Sequence, residues 1–314
     1  MNGFLLIDKP EGITSFGVVS RVRRVLGIKK VGHCGTLDPQ ATGLLIICLG
    51  KATKLAQFVS KQSKKYLAEI TLGYVSTTLD RDGELTAHSP ETKPTLEEIL
   101  RLLPEFTGDI EQVAPAYSAV KHQGQPLYKY ARRNHLVEEK KRRVHVSEIN
   151  ITEYEYPHLS IEVVCSSGTY IRSIAHDLGQ RLNCGGYISN LRRAAIGRWH
   201  LESAIRLDEL QERFSIPAEG AVDMTQFAEA YVPIDNMLEI PTLRVLEPRA
   251  ALVMQGVPIR IQDVFEHDEP LDLGQLVAVR GLHGDLLAIG RMRCGSVAFG
   301  ELGDEPLVEY VRVI

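Results

Sequence analysis

The chain has 314 residues, 44% hydrophobic and 24% charged, the composition of an ordinary soluble globular protein with room for one large domain and a small one. No apolar run approaches the ~20 residues that cross a membrane, and in "MNGFLLIDKPEG" Asp8 and Lys9 arrive too early for a signal peptide. The five cysteines form no CxxC and read as the reduced thiols of a cytoplasmic protein, while the net charge of −4 hides a strong segregation. Residues 1–66 hold 11 Lys/Arg against 3 Asp/Glu, residues 117–146 hold 8 against 2, and residues 201–314 hold 9 against 20. Such a distribution suits a basic face for a polyanion, with acidic surface elsewhere.

In chain order, "TSFGVVSRVRRVLG" predicts a helix with Thr14/Ser15 at its start, Val18, Val22, Val25 and Leu26 on its buried face and Gly27 as its stop. Next comes Gly32–Gly43, "GHCGTLDPQATG", where glycines and a proline shape a loop around one carboxylate, Asp38. A residue before proline is pushed into an extended conformation, so Asp38 is expected to be displayed. "KKYLAEITLGY" alternates like a half-buried strand, and "TLEEILRLLPEF" opens with Thr95 and Glu98 as a capping box and stops at Pro104. The stretch 117–146 interleaves tyrosines with Lys/Arg and is too poor in aliphatic residues for core, which suits a nucleic-acid clamp. "SIEVVCSSGTYIRSIAHDLGQRL" reads as strand, tight turn and helix, with Tyr170 and Arg172 near the helix start. "YVPIDNMLEIP" at Tyr231–Pro241 reads as a linker, and the glycine-separated strands beyond it suggest a small β-rich barrel.

Familiar catalytic sets are missing from the sequence: no GxxxxGK[ST], HExxH, zinc-spaced Cys/His cluster or GxSxG. The adjacency of His33 and Cys34 does not make a nucleophile–base pair. What remains is Asp38 on its loop, basic surface, and aromatic residues beside Lys/Arg; a carboxylate serves either as covalent nucleophile or as base.

The segment "GHCGTLDPQATGLLIICLGKATK" resembles the signature of the TruB family, the bacterial tRNA pseudouridine-55 synthases. The resemblance extends to "LLIDKPEGITS", "KKYLAEITLG", "APAYSAVKHQGQPLYKYAR", "CSSGTYIRSIAHDLG" and "LRRAAIG", six ordered blocks over the first two-thirds of the chain. Ala114 and Ala194 depart from the family, where Pro and Thr are frequent. The resemblance implies an α+β fold: a pseudouridine-synthase catalytic domain on a largely antiparallel mixed sheet over residues 1–235, with the RNA clamp inserted at about 117–146. A small C-terminal PUA-like β-barrel, an RNA-binding domain, follows over 236–314.

The implied reaction turns a uridine of the tRNA T-arm into pseudouridine: the glycosidic bond breaks, the uracil turns, and a carbon–carbon bond forms, with no cofactor and no metal. Asp38 matches the family's catalytic aspartate; adding to uracil C6, attacking ribose C1′ and removing a proton at C2′ all stay open for it. Arg172 matches the arginine that pairs with this carboxylate, and Tyr66 the tyrosine that stacks on the base and can help move the C5 proton. Tyr170 and Leu191 match residues lining the pocket of the flipped base, and His33 the histidine that enters the T-loop where the nucleotide was extruded. Lys9 and Pro10 match a motif beside the site with a structural role. The expected protein is a cytoplasmic monomer acting on tRNA without a protein partner or a membrane. Two alternatives stand beside it. A dyskerin-like synthase guided by RNA is disfavoured by the basic stretch 117–146, and an RNA-binding or tRNA-folding protein without essential catalysis is disfavoured by the intact Asp38, Tyr66 and Arg172.

Overall fold

The computed structural model describes residues 1–88, 90, 92–118, 121–131, 133, 141–213, 227–301 and 303–314. From the N-terminus run β1 (Gly3–Lys9), α1 (Ser15–Leu26), β2 (Val31–His33), β3 (Thr42–Leu49), α2 (Ala56–Val59) and β4 (Lys64–Leu72). A ribbon of β5 (Tyr74–Ser76) and β6 (Leu85–Ala87) precedes α3 (Leu96–Leu102) and β7 (Gly108–Val113); β8 (Lys121–His122), β9 (Gln125–Pro126) and α4 (Leu127–Ala131) follow. Then come β10 (Lys141–Glu155), β11 (His158–Cys165), α5 (Ile171–Arg181), β12 (Gly186–Ile196), β13 (Trp199–His200), β14 (Ile205–Arg206), α6 (Leu207–Arg213) and β15 (Tyr231–Pro233). The C-terminal part holds β16 (Thr242–Val245), α7 (Glu247–Met254), β17 (Val264–His267), β18 (Leu276–Arg280), β19 (Leu286–Met292) and β20 (Val308–Val313).

The long sheet has the order β14-β1-β3-β12-β4-β11-β10-β7, with β2 added at β3, β13 at β12 and β15 at β1. Only the β1–β14 and β3–β12 pairings are parallel, so the sheet is mixed and largely antiparallel. Alternation sorts β1 and β3 between two cores. Leu5, Ile7, Leu45 and Ile47 pack under α1 and α6, while Phe4, Leu6, Leu44 and Ile46 face Val232, Met237 and, from the second sheet, Ala278 and Ile289. Strands covered on both faces read as continuous apolar runs, which is why "FLLI" and "LLIICL" show no period of two. A third core lies under α5 and α3 against β4, β11 and β12.

The predicted caps are in place. The Thr14 hydroxyl accepts from Gly17 N at 2.9 Å, Gly27 closes α1 at φ 63°, and Thr95 with Glu98 forms the reciprocal box of α3. Two readings change. The basic stretch 117–146 is not peripheral to its end: from Lys141 it is strand β10, where Val144 and Val146 turn inward while Lys141, Arg143 and His145 stay exposed. Residues 119–120, 132 and 134–140 of that stretch, Lys140 among them, lie outside the described residues. The expected linker is also not free chain. Tyr231–Pro233 extends the long sheet along β1, and Met237 is fully buried between the two sheets. The C-terminal strands form a five-stranded sheet ordered β17-β16-β18-β19-β20, its end strands not paired with each other, around a core of its own.

Lys9 closes the fold around the shaped loop. Its side chain is fully buried at the end of β1, and Nζ donates to the carbonyls of Pro10 (2.9 Å), Ile13 (2.8 Å) and Pro39 (2.9 Å). All three ammonium protons are thereby used, each on a backbone carbonyl. Lys9→Met keeps the stem and takes the ammonium from the Pro10 and Ile13 carbonyls, while Pro39 O keeps its bond from Gly12 N at 2.9 Å; at about 1 kcal/mol for each carbonyl left without a partner, stability should fall by about 2 kcal/mol. Urea unfolding of the two proteins measures this; a drop under about 1 kcal/mol would show that water replaces the ammonium.

Candidate active site

The loop between β2 and β3 carries Asp38, and its shape comes from glycine where the backbone demands it. Gly35 sits at φ 103° and Gly43 at φ 99°, and a Cβ on Gly43 would meet the Arg193 carbonyl oxygen at 2.4 Å. Glycine there lets β3 lie against β12 and brings the loop beside Leu191 and Arg193. Ser15, at the start of α1, fixes the other side: its hydroxyl donates to Leu37 O (3.1 Å) and accepts from Leu37 N (2.8 Å).

Arg172 meets Asp38 from the first turn of α5. Its side chain is 4% exposed, and Nη2 lies 2.9 Å from Asp38 Oδ2. Nη1 lies 3.3 Å from Asp80 Oδ2 and donates to Thr78 O at 2.9 Å; Nη2 also donates to Tyr117 O at 2.9 Å. One guanidinium thus gathers two carboxylates and two carbonyls. Burial pushes the Asp38 carboxyl above the usual carboxylate range; Arg172 opposes that shift and the second carboxylate, Asp80, adds to it. With 39% of its side chain exposed, Asp38 stays reachable from solvent while its direction is fixed by Arg172.

A cavity of about 350 Å³, in the size class of small-molecule sites, is lined by Asp38, Tyr66, Tyr170, Arg172, Leu191 and Arg193 among others. Tyr66 on β4 and Leu191 on β12 each pack against both the α1 core and the α5 core, so the cavity opens at the seam between them. Burial pushes the Tyr66 phenol up, keeping it protonated, with Arg193 opposing. Tyr170 is pinned through its backbone: its N–H donates to Gln112 Oε1 (3.0 Å) and its carbonyl accepts from Gln112 Nε2 (3.2 Å). The Arg142 guanidinium lies over its ring at 5.3 Å. A second, water-sized cavity of about 20 Å³ flanks Asp38 on the side of Gln40, Asp80 and Asn190.

Five of the six candidate residues therefore line one cavity. His33 does not. It lies on β2, half-buried, with no hydrogen-bond partner for its buried Nδ1 among the described residues; burial and the nearby Arg193 lower its pKa, and a backbone hydrogen bond at Gly35 opposes them.

Two residues beside the site escaped the sequence reading. Arg193 is 1% exposed; its Nε donates to Leu44 O at 2.8 Å, and its Nη atoms reach the carbonyls of Thr36 (3.4 Å) and Gly35 (3.3 Å). Its signal was the pair "RR" in a strand, where one arginine must face inward; Arg192 is the outward one, 2.7 Å from Asp8. Asp80 lay in the unremarkable "TLDRDG". No cluster of three or more metal-ligating side chains exists among the described residues. Lys9 and Lys64, both beside the cavity, have pKa values lowered by burial to about 8.

A family model described as TruB family pseudouridylate synthase, N-terminal domain, matches residues 23–171, and one described as tRNA pseudouridylate synthase B C-terminal domain matches residues 172–248. The chain is 41% identical over 264 residues to the tRNA pseudouridine synthase B of Clostridium kluyveri, covering 83% of this chain and 86% of that protein. It is 37% identical over 300 residues to that of Cupriavidus metallidurans, covering 95% and 92%. Among solved structures, it is similar to a chain of an H/ACA RNP bound to a substrate RNA containing 2′-deoxyuridine, with a TM-score of 0.77 and 26% identity over 99% of this chain and 84% of that one. A chain of a Cbf5-Nop10-Gar1 complex gives a TM-score of 0.76 and 27% identity over the same shares. Matched by family models on both sides of the Asp38–Arg172 site and by relatives along most of its length, the chain belongs to the TruB family of pseudouridylate synthases.

Proposed function

We propose that the protein isomerises uridine 55 in the T-loop of tRNA to pseudouridine, acting alone as a cytoplasmic monomer on a nucleotide flipped into the cavity. The observation that carries the reading is the ion pair between Asp38 and the buried Arg172 at the wall of a cavity that Tyr66, Tyr170 and Leu191 also line. The atoms balance within the substrate: N1–C1′ breaks, C5–C1′ forms, C5 loses a proton and N1 regains one. Nothing is oxidised or hydrolysed, so the site has to supply a carboxylate, a surface that holds the detached uracil, and exclusion of water.

Asp38 supplies the first of these, ionised and aimed by Arg172. Tyr66 and Leu191 supply the second, an aromatic face and an aliphatic wall; the protonated Tyr66 hydroxyl can help move the C5 proton only as a relay, passing its own proton on as it accepts that one. The recessed seam between two cores supplies the third. The basic segments give the RNA backbone its counter-charge. Higher identity to proteins named tRNA pseudouridine synthase B than to the chain of the Cbf5-Nop10-Gar1 complex supports unaided action on tRNA. A purely RNA-binding role would account for Arg172 as a tie between separate stretches of chain but not for a partly exposed carboxylate aimed at the cavity.

Purified protein incubated with an unmodified tRNA transcript should form pseudouridine at position 55 with no added RNA or protein. Asp38→Asn keeps the shape and removes the charge; turnover should fall by at least ~10⁴, about 5 kcal/mol of barrier, while RNA binding changes little. Residual activity within tenfold of wild type would remove the assignment.

The two carboxylates on Arg172 give a pH test. Activity needs ionised Asp38, so kcat/KM should fall as pH drops through its raised pKa, above the ordinary 3.8. Asp80→Asn removes a neighbouring negative charge, stabilises the Asp38 anion and moves that acid limb to lower pH. A limb that moves up, or stays, would show that Asp80 serves only to hold the turn.

His33, outside the cavity, should act on flipping. His33→Ala should slow single-turnover pseudouridine formation on folded tRNA by roughly ten- to a few-hundredfold, about 1.4–3.4 kcal/mol, and slow it less on an RNA whose loop is already open. Equal slowing on the two RNAs would assign His33 to the chemical step or to folding.

A further inference from the structure

The corner where α1 ends, β2 begins and β3 ends gathers cations that no carboxylate neutralises. Between Ser15 and Lys61 the chain carries Arg21, Arg23, Arg24, Lys29, Lys30, Lys51, Lys54 and Lys61, and its one acidic residue is Asp38, already engaged with Arg172. None of these cations has an ion-pair partner among the described residues, and Arg21, Arg24, Lys29, Lys30, Lys51 and Lys61 are exposed. The C-terminal sheet handles its arginines in the opposite way: Arg244, Arg249, Arg260 and Arg280 pair with Glu266, Asp263, Asp304 and Asp235.

The backbone ties the corner together. Gly50 N donates to Lys30 O at 2.8 Å, setting Lys51 beside Lys30, and Arg23 Nη2 donates to Val31 O at 3.4 Å. Val31–His33 is a strand, so at ~3.3 Å per residue Lys30 stands about 10 Å from His33 along β2. Between them Gly32 carries no side chain, and an added Cβ there would meet nothing closer than Thr53 Cγ2 at 3.7 Å. Unpaired like charges held this close repel one another and weaken the fold slightly, a standing arrangement that a polyanion relieves.

We infer that Lys29, Lys30 and Lys51 form a phosphate-binding corner for the RNA strand that leads away from the nucleotide in the cavity, with His33 at its near end. The inference rests on the reading of the substrate as RNA and adds a second contact surface to it, distinct from the cavity and from the stretch 117–146. Phosphate contacts fix register without reading sequence, so the corner is a positioning surface. It sets how the loop presents its uridine and leaves the chemical step alone.

The test compares wild type with the triple variant Lys29→Gln, Lys30→Gln, Lys51→Gln, and with the triple Lys→Arg variant, on one tRNA transcript. Affinity is measured across a KCl series and pseudouridine formation by single turnover at saturating RNA. Every phosphate that no longer meets a cation should take about 0.7–0.9 off the log–log salt slope. The slope of the Gln variant should therefore fall by roughly two, and its binding should weaken at least ~10-fold near physiological salt. The Arg variant should keep the wild-type slope, and the saturating rate should stay within about twofold for all three. An unchanged slope in the Gln variant would show solvated lysines and overturn the proposal. A reduced slope accompanied by a tenfold drop in saturating rate would overturn it as well, by making the corner part of the catalytic machinery. Wild-type protein that binds the transcript with a full salt slope yet forms no pseudouridine would instead sink the functional reading while leaving the corner as an RNA surface.

Discussion

The guanidinium of Arg172 is the group on which the architecture of the site converges. A buried cation is costly unless its hydrogen bonds are met and its charge is opposed, and here the partners come from separate stretches of chain. Asp38 belongs to the loop before β3, Thr78 and Asp80 to the turn after β5, Tyr117 to the segment after β7, and Arg172 itself to α5. Asp80 is held in turn by the Thr78 hydroxyl and by Asp82 N. Removing the guanidinium would therefore do more than release Asp38: it would leave two carboxylates close together and release the carbonyls of Thr78 and Tyr117.

Around this pair the protein uses buried cations in a second manner, as clamps on backbone oxygen. Lys9 takes three carbonyls, Arg193 takes those of Gly35, Thr36 and Leu44, and Lys64 takes those of Ser60 and Gln62. Each clamp holds the chain next to Asp38 or Tyr66 without adding a carboxylate. Asp80 is thus the nearest competing acid, and the field felt by Asp38 is dominated by cations. Burial raises its pKa and the surrounding positive charge restrains the rise. Burial, with Arg193 adding to it, lowers Lys9 and Lys64 to about 8, and Asp38 partly offsets the shift at Lys9.

The features legible in sequence are those written in local chemistry. Thr14, Gly27, Thr95 and Glu98 announce helix ends because a cap acts within one turn. Asp38 stands out because glycines and a proline must shape its loop whatever packs against it. What escaped depends on residues far apart in the chain. Asp80 becomes significant only when Arg172, about ninety residues later, reaches it, and Arg193 only when β12 is laid beside β3 with Leu44 and Gly35 in range. The basic stretch 117–146 misled at its end because Val144 and Val146 are just two inward positions among cations, and yet β10 is paired on both sides, with β11 and with β7. Tyr231–Pro241 misled because Pro, Asp and Asn are as much at home in a strap across a core as in a free linker. His33 sits in the motif with Asp38, yet it belongs to β2 and is not among the residues that line the cavity.

The rigidity of the loop follows from where its two ends are rooted. β1 and β3 run antiparallel from Gly3–Leu49 to Lys9–Gly43, and both are sandwiched between the α1 core and the core shared with the C-terminal sheet. Lys54 Nζ donates to Val313 O, and Asp235 accepts from Leu286 N while Arg280 donates to its carbonyl, so polar bonds reinforce that shared core at its edges. The C-terminal sheet thereby acts on the site mechanically: it covers the back of the strands that present Asp38. Loosening it would not remove any group from the cavity. It would let β3 shift against β12, and with Gly43 packed on the Arg193 backbone, such a shift reaches Asp38 within a few residues. Positioning by a remote sheet and ionisation by an adjacent guanidinium are separate requirements, and the fold meets them with separate parts of the chain.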